Sequence, residues 1–152
     1  MAEIEIRGMA EFEAKLRLMS ASARTQIAED AVTEGAAVVQ AYAQMNARDV
    51  FSRRQRGTLR NSIIPRVNKT ATGAEAEIGP QVIYGRIQEL GGTIRPIRGK
   101  VLHFKIDDRD IYTKQVTLPP RPYLAPAVND HKDQIREVMQ SAVIDGLSEF
   151  AV

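Results

Sequence analysis

The sequence contains no cysteine, which excludes disulfides, thiolate nucleophiles and cysteine-ligated metal sites together. Histidine is scarce. His103 and His131 are the only two in 152 residues, which argues against a multi-histidine metal centre. No apolar run approaches the roughly 20 residues of a membrane-spanning helix, so no membrane partner is expected. The opening residues MAEIEIRG carry early acids and no apolar stretch, and do not read as a signal peptide. The glycines between Gly79 and Gly92 are followed by no G-K-[ST] and sit in no strand–GxGxxG–helix arrangement, and neither G-x-S-x-G nor H-E-x-x-H occurs. Neither catalysis nor a cofactor is therefore expected. Net charge is small too: 21 Lys and Arg against 19 Asp and Glu leave +2, too little for a chain built throughout to coat nucleic acid.

What is present is a strong segregation of charge. Residues 1–46 carry a net −3, residues 47–70 a net +6, residues 71–93 a net −2, residues 94–126 a net +4 and residues 127–152 a net −3. Acidic ends therefore flank a mostly basic middle. The length suits a single domain spanning residues 1–152.

The periodicities predict an α+β fold. Residues 3–7 alternate as a short strand. Met9, Phe12, Leu16 and Met19 fall at helical spacing and predict a first helix. Ser20 and Ser22 can cap a second helix, expected over residues 23–44 with Ile27, Ala31, Val38, Val39 and Tyr42 as its stripe. Gly35 interrupts it, at about 1 kcal/mol against Ala, and allows a close helix contact. At Ala47 the helical pattern stops. Arg48, Arg53, Arg54, Arg56 and Arg60 crowd around Gly57 as far as Arg60, opposed only by Asp49, and this stretch reads as an exposed basic loop.

Residues 62–68 and 75–79 read as the strands of a hairpin, with Pro65 marking an edge or a bulge. Residues 82–90 form a short apolar helix ended by Gly91-Gly92. Residues 101–106 and 111–116 read as a second hairpin with Asp107, Asp108, Arg109 and Asp110 at its tip. Residues 118–122 must be extended. After Pro126 a long final helix is expected, with Val128, Ile135, Val138, Met139, Ala142, Val143 and Leu147 towards one face. The sum is three to four helices packed on a small antiparallel sheet.

The candidate chemistry is thin. Asp107, Asp108 and Asp110 could bind a hard cation but lack the spacing of a calcium loop, and a solvated turn accounts for them better. His103 reads as a half-exposed strand residue and His131 as a solvent-facing one, neither with an evident orienting partner. The arginine run is more informative, because each guanidinium pairs bidentately with phosphate or carboxylate. It reads as a loop that meets DNA phosphates or an acidic partner surface, or as a solvated basic loop. Phe51 is the single aromatic residue there, which leaves little base stacking.

Two segments carry a resemblance. Tyr84, Glu89 and Gly91 form a Tyr-x-x-x-x-Glu-x-Gly stretch before a hairpin. Pro119, Arg121, Pro122, Tyr123, Leu124, Pro126 and Ala127 form a Pro-x-Arg-Pro-aromatic-Leu-x-Pro-Ala stretch that opens the last helix. Together they resemble the neck or tail-completion proteins of long-tailed bacteriophages, similar to the minor tail protein Z class, which join tail to head. The resemblance implies a structural virion protein that forms a ring, a hexamer, around the DNA path at the head–tail joint, with neck and tail proteins as neighbours and DNA contact in the channel. A tail terminator and a nucleic-acid-binding accessory protein that uses the arginine run are the alternatives. A small hydrolase is a weaker one, and would need a cleft that brings His103 to an Asp.

Overall fold

The computed structural model describes residues 13–14, 17–50, 56–106 and 108–149. The strand expected at residues 3–7 and most of the helix expected at residues 9–19 lie outside them, as do Phe51, Arg53, Arg54 and Asp107; residues 13, 14, 17 and 18 are helical.

The first long helix, α1 (Ala21–Val50), begins where Ser20 Oγ accepts the Ala23 N–H at 3.1 Å. It runs past the end expected at Gln44. No Gly or Pro occurs in this stretch before Gly57, and the fully buried Ala43 and Ala47 extend its apolar row. That row is Ile27, Ala31, Gly35, Val39, Ala43 and Ala47, spaced by four throughout and buried at every position, the ridge that helix packing uses. Val38 and Tyr42, expected in the stripe, are only half-buried.

A second helix, α2 (Arg56–Ser62), stands where a loop was expected. Leu59 and Ile63, four residues apart and both 0% exposed, hold this turn on the core. Ser62 Oγ donates to the Leu59 carbonyl at 2.7 Å. The arginine density that suggested a loop marks instead the end of α1, with Arg48, and α2, with Arg56 and Arg60.

The strands β1 (Ile63–Lys69) and β2 (Ala74–Pro80) form the first hairpin, closed by Thr70 N–H donating to the Gly73 carbonyl at 2.9 Å. Every strand of a two-stranded sheet is an edge, which is where Pro65 is tolerated. The helix α3 (Gly85–Leu90) is shorter than the apolar pattern from Val82 suggests. Ile83 is fully exposed and Leu90 mostly so, so that pattern does not mark a buried face.

Among the described residues, the expected single sheet is three separate two-stranded ones. After β3 (Gly92–Ile94), the strands β4 (Leu102–Ile106) and β5 (Arg109–Thr113) pair antiparallel with Ile106 opposite Arg109. Arg109 and Asp110 thus belong to the strand and not to the tip, and the connection is the two-residue loop 107–108. Its second residue, Asp108, has φ of 61°, the left-handed geometry that such tight hairpin turns require and that Asp tolerates. The next strand, β6 (Val116–Leu118), leaves this hairpin and pairs with β3, with Gly92 opposite Leu118 and Ile94 opposite Val116.

The final helix is divided into α4 (Leu124–Asn129) and α5 (Lys132–Glu149). Asp130 N–H donates to the Pro126 carbonyl at 2.9 Å and ends the first piece; Asn and Asp favour such turns. Val128, exposed, is therefore not on the face formed by the half-buried Ile135, Val138, Met139, Ala142, Val143 and Leu147.

The architecture is α+β, with long helices near both ends of the described chain. It divides into two compact units, and the division falls within α1, β1 and β2. In one unit (Met1–Ala41, Pro65–Ile78, His131–Val152), α1 and α5 approach closely. A Cβ on Gly35 would sit 2.7 Å from Met139 Cγ, and one on Gly146 would sit 2.8 Å from Ile27 Cγ1, so the two helices run antiparallel. Lys69 Nζ reaches Glu29 Oε2 at 2.7 Å from the hairpin. The core of the other unit (Tyr42–Ile64, Gly79–Asp130) is Ala43, Ala47, Leu59, Ile63, Tyr123 and Ala127, all 0% exposed. Among the described residues no helix is long and apolar enough to cross a membrane.

Candidate functional site

The two motif segments meet within this second unit, and Glu89 joins them. A helix start leaves backbone N–H groups without partners. Tyr123, at the start of α4, provides no side-chain cap. Glu89, projected from α3, serves instead: its Oε2 accepts the Tyr123 N–H at 2.6 Å and the Leu124 N–H at 3.0 Å, and its Oε1 accepts the Ala125 N–H at 2.9 Å. A carboxylate is suited to this place, because charged acceptors form the stronger bonds and the helix start favours negative charge.

Tyr123 fills the space beneath. It is wholly buried, its hydroxyl donates to the Gly85 carbonyl at 3.1 Å, and its own carbonyl accepts from Asn46 Nδ2 at 3.1 Å. Burial, reinforced by the negative charge of Glu89 and by Tyr84, pushes the Tyr123 phenol up to about 12. Tyr84 stands half-buried at the start of α3. Gly91 has φ of 69°, and a Cβ there would fall 2.7 Å from the Pro120 nitrogen, so no other residue fits without moving backbone. Arg121 N–H donates to the Gln88 carbonyl at 2.8 Å. Pro119 and Pro122 are exposed on the extended connection, Pro126 is half-buried within α4, and Ala127 is fully buried.

Of the arginines, Arg48 lies in the last turn of α1, Arg56 and Arg60 lie in α2, and Arg53 and Arg54 lie outside the described residues. Arg60 is half-buried.

A group not evident from sequence sits on the second hairpin. His103 Nε2 and Asp110 Oδ1 are 2.6 Å apart, and the ring of Tyr112, directly opposite His103, stacks on it at 4.6 Å. His103 does have a partner, then, contrary to the expectation. The four-residue tip expected from sequence puts His103 opposite the wrong residues; the two-residue turn makes Asp110 its diagonal neighbour. The pair is about half exposed on a two-stranded ribbon, 49% for His103 and 46% for Asp110, and so is worth under about 1 kcal/mol. Among the described residues, no group of three or more histidines and carboxylates is close enough to hold a metal ion.

Residues 10–91 match the family described as "Bacteriophage HK97-gp10, putative tail-component". This chain belongs to that family. The matched span is more than half the sequence and ends at Gly91, so it contains Tyr84 and Glu89 of the first motif, while the second motif lies beyond it. No curated protein and no solved structure matches the chain. An HK97-gp10-like protein is a structural component of a phage tail, which agrees with the resemblance carried by the two motifs and implies a place in the virion beside other tail or neck proteins. Within it, the Glu89–Tyr123 clamp has the form of a structural joint: its polar atoms are bonded to backbone, and its aromatic ring is buried.

Proposed function

We propose that this tail component is a tail-completion protein. It folds as one domain and closes into a homo-oligomeric ring, a hexamer, at the head–tail joint around the path of the DNA. The subunits are made and assembled in the host cytoplasm, and the protein catalyses no reaction. Family membership across residues 10–91 is the observation that carries the reading. The charge mosaic supports it, because a ring of more than two subunits needs two different, complementary patches on each subunit. The motif residues Tyr84, Glu89, Gly91, Pro119, Arg121, Pro122, Tyr123, Leu124, Pro126 and Ala127 hold the subunit in shape for assembly. Arg48, Arg53, Arg54, Arg56 and Arg60 are the contacts for DNA phosphates in the channel.

Electron microscopy of the purified protein, alone and with tail tubes, tests the ring. Rings, free or seated on tube ends, are expected; a strictly monomeric protein that never joins tubes or capsids contradicts the proposal. The DNA contact is tested separately. Duplex affinity should fall steeply with salt, as counterion release requires, and should drop further when the five arginines are replaced by Ala. Undetectable binding at low salt removes the DNA contact and leaves the ring standing.

A further inference from the structure

The segment around the second hairpin exposes both charged and large apolar side chains. Residues 95–114 carry six basic side chains and three acidic ones. Among them Ile97 is 97% exposed, Tyr112 66% and Ile106 54%. Among the described residues the strands β4 and β5 pair only with each other, so no described strand covers either outer edge of the ribbon. A two-stranded ribbon is marginal by itself in water, and exposed apolar side chains rimmed by charge mark interaction surfaces. The basic excess selects an acidic partner.

Such a partner surface exists on this same chain. A groove of about 480 Å³ runs between α1 and α5, walled by Asp30 and Glu34 on one side and by Glu137, Asp145 and Glu149 on the other, with Ala142 in its lining. The groove is therefore polar at its walls and apolar in part of its lining, which matches a ribbon carrying both arginine or lysine and large apolar side chains.

We propose that the basic ribbon (residues 95–114) of one copy docks in the acidic groove between α1 and α5 of the next copy. This rests on the ring reading above and names its two mating patches. The contact is heterologous, ribbon to groove, so it propagates around a ring and leaves each copy with one used and one offered patch. Its electrostatic part weakens with salt, as rim charges do.

Charge exchange tests it. One full-length variant carries Lys100→Glu, Lys105→Glu and Arg109→Glu, which turns the ribbon from +3 to −3; a second carries Glu34→Lys, Glu137→Lys, Asp145→Lys and Glu149→Lys, which turns the acidic lining from −5 to +3. All seven side chains are exposed, and the thermal unfolding of each variant checks that it is folded. Self-association is measured by sedimentation in about 0.1 M salt, where charge contacts are still felt. Each variant alone sets like charge against like, and its self-association should fall about a hundredfold. Mixed in equal amounts, the two variants restore opposite charge at every contact and should recover the wild-type assembly. If the wild type forms rings and folded variants still assemble alone, or if their mixture does not recover assembly, the docking proposal is overturned while the ring stands. A wild type that never assembles, free or on tails, overturns both.

Discussion

Glu89 ties the two motif segments together. Its single carboxylate satisfies three backbone N–H groups of a helix start that has no cap of its own. Glu89→Ala leaves those donors without their partner, and charged hydrogen bonds are worth roughly 1.5–3 kcal/mol each before solvent replaces them. A loss of about 3 kcal/mol is expected, read as a fall in Tm of roughly 6–12 °C. Glu89→Gln keeps the shape but lacks the charge and turns an amide N–H₂ towards donors, so about half that loss is expected. Equal Tm values for wild type and both variants would show that water caps α4 as well as Glu89 does. Tyr123 gives a pH signature. Its phenol titrates near 10 when exposed and at about 12 in the fold, so the folded state favours the neutral form. The stability this provides is fully present below pH 10 and is lost as pH rises through 12. Denaturant melts should show wild type losing on the order of 2 kcal/mol more than Tyr123→Phe across that window. The motif residues themselves were legible in sequence, but their joint was not. Nothing in the spacing of Glu89 and Tyr123, 34 residues apart, shows that one caps the other, because the contact depends on how α3 and the extended connection are folded together.

At the level of elements, local signals succeeded where local physics decides and failed where tertiary burial does. Ser20 caps α1 as its side chain predicts. Gly35 permits the close helix approach it suggested: a Cβ there would press on Met139. Gly35→Val should therefore destabilise by about 1–3 kcal/mol through overpacking, and Gly35→Ala should cost less, since helix propensity offsets part of the clash. In a Met139→Ala background the Val penalty should shrink, and a double-mutant cycle by chemical denaturation reads that coupling directly. An unchanged penalty would place the strain elsewhere. The basic stretch misled for a physical reason. Its arginines hide the pair Leu59 and Ile63, whose burial makes α2 helical, and two apolar residues among so much charge give too short a pattern to read. The second hairpin was legible as an element but not in register. A run of Asp, Asp, Arg, Asp looks like one turn, and only the positive φ of Asp108 shows where the turn ends. That two-residue difference is what conceals the His103–Asp110 pair. The strand β6 spans the expected end of the second hairpin at Val116 and the expected extended connection from Leu118, so its pairing with β3 was not visible in the sequence.

For the whole molecule, charge is the property that links sequence to assembly. A net charge of +2 conceals basic segments of +6 and +4 between acidic ones. In the fold, acidic side chains of α1 and α5 gather around one groove, while the basic excess of residues 95–114 lies on a two-stranded ribbon. A subunit of this kind is suited to meeting copies of itself, and family membership sets it in a phage tail. The overall α+β class was accessible from periodicity. The division of one sheet into three pairs was not, since it turns on β3 and β6 pairing across the intervening hairpin, and neither was the division of the chain into two compact units. The central claim, a ring at the head–tail joint, is tested most directly by cryo-electron microscopy of the assembled virion with this protein located in the map. A closed ring of copies between the tail tube and the head, encircling the DNA channel, is the predicted result; copies found only along the tail tube, or as isolated subunits without ring symmetry, would contradict it.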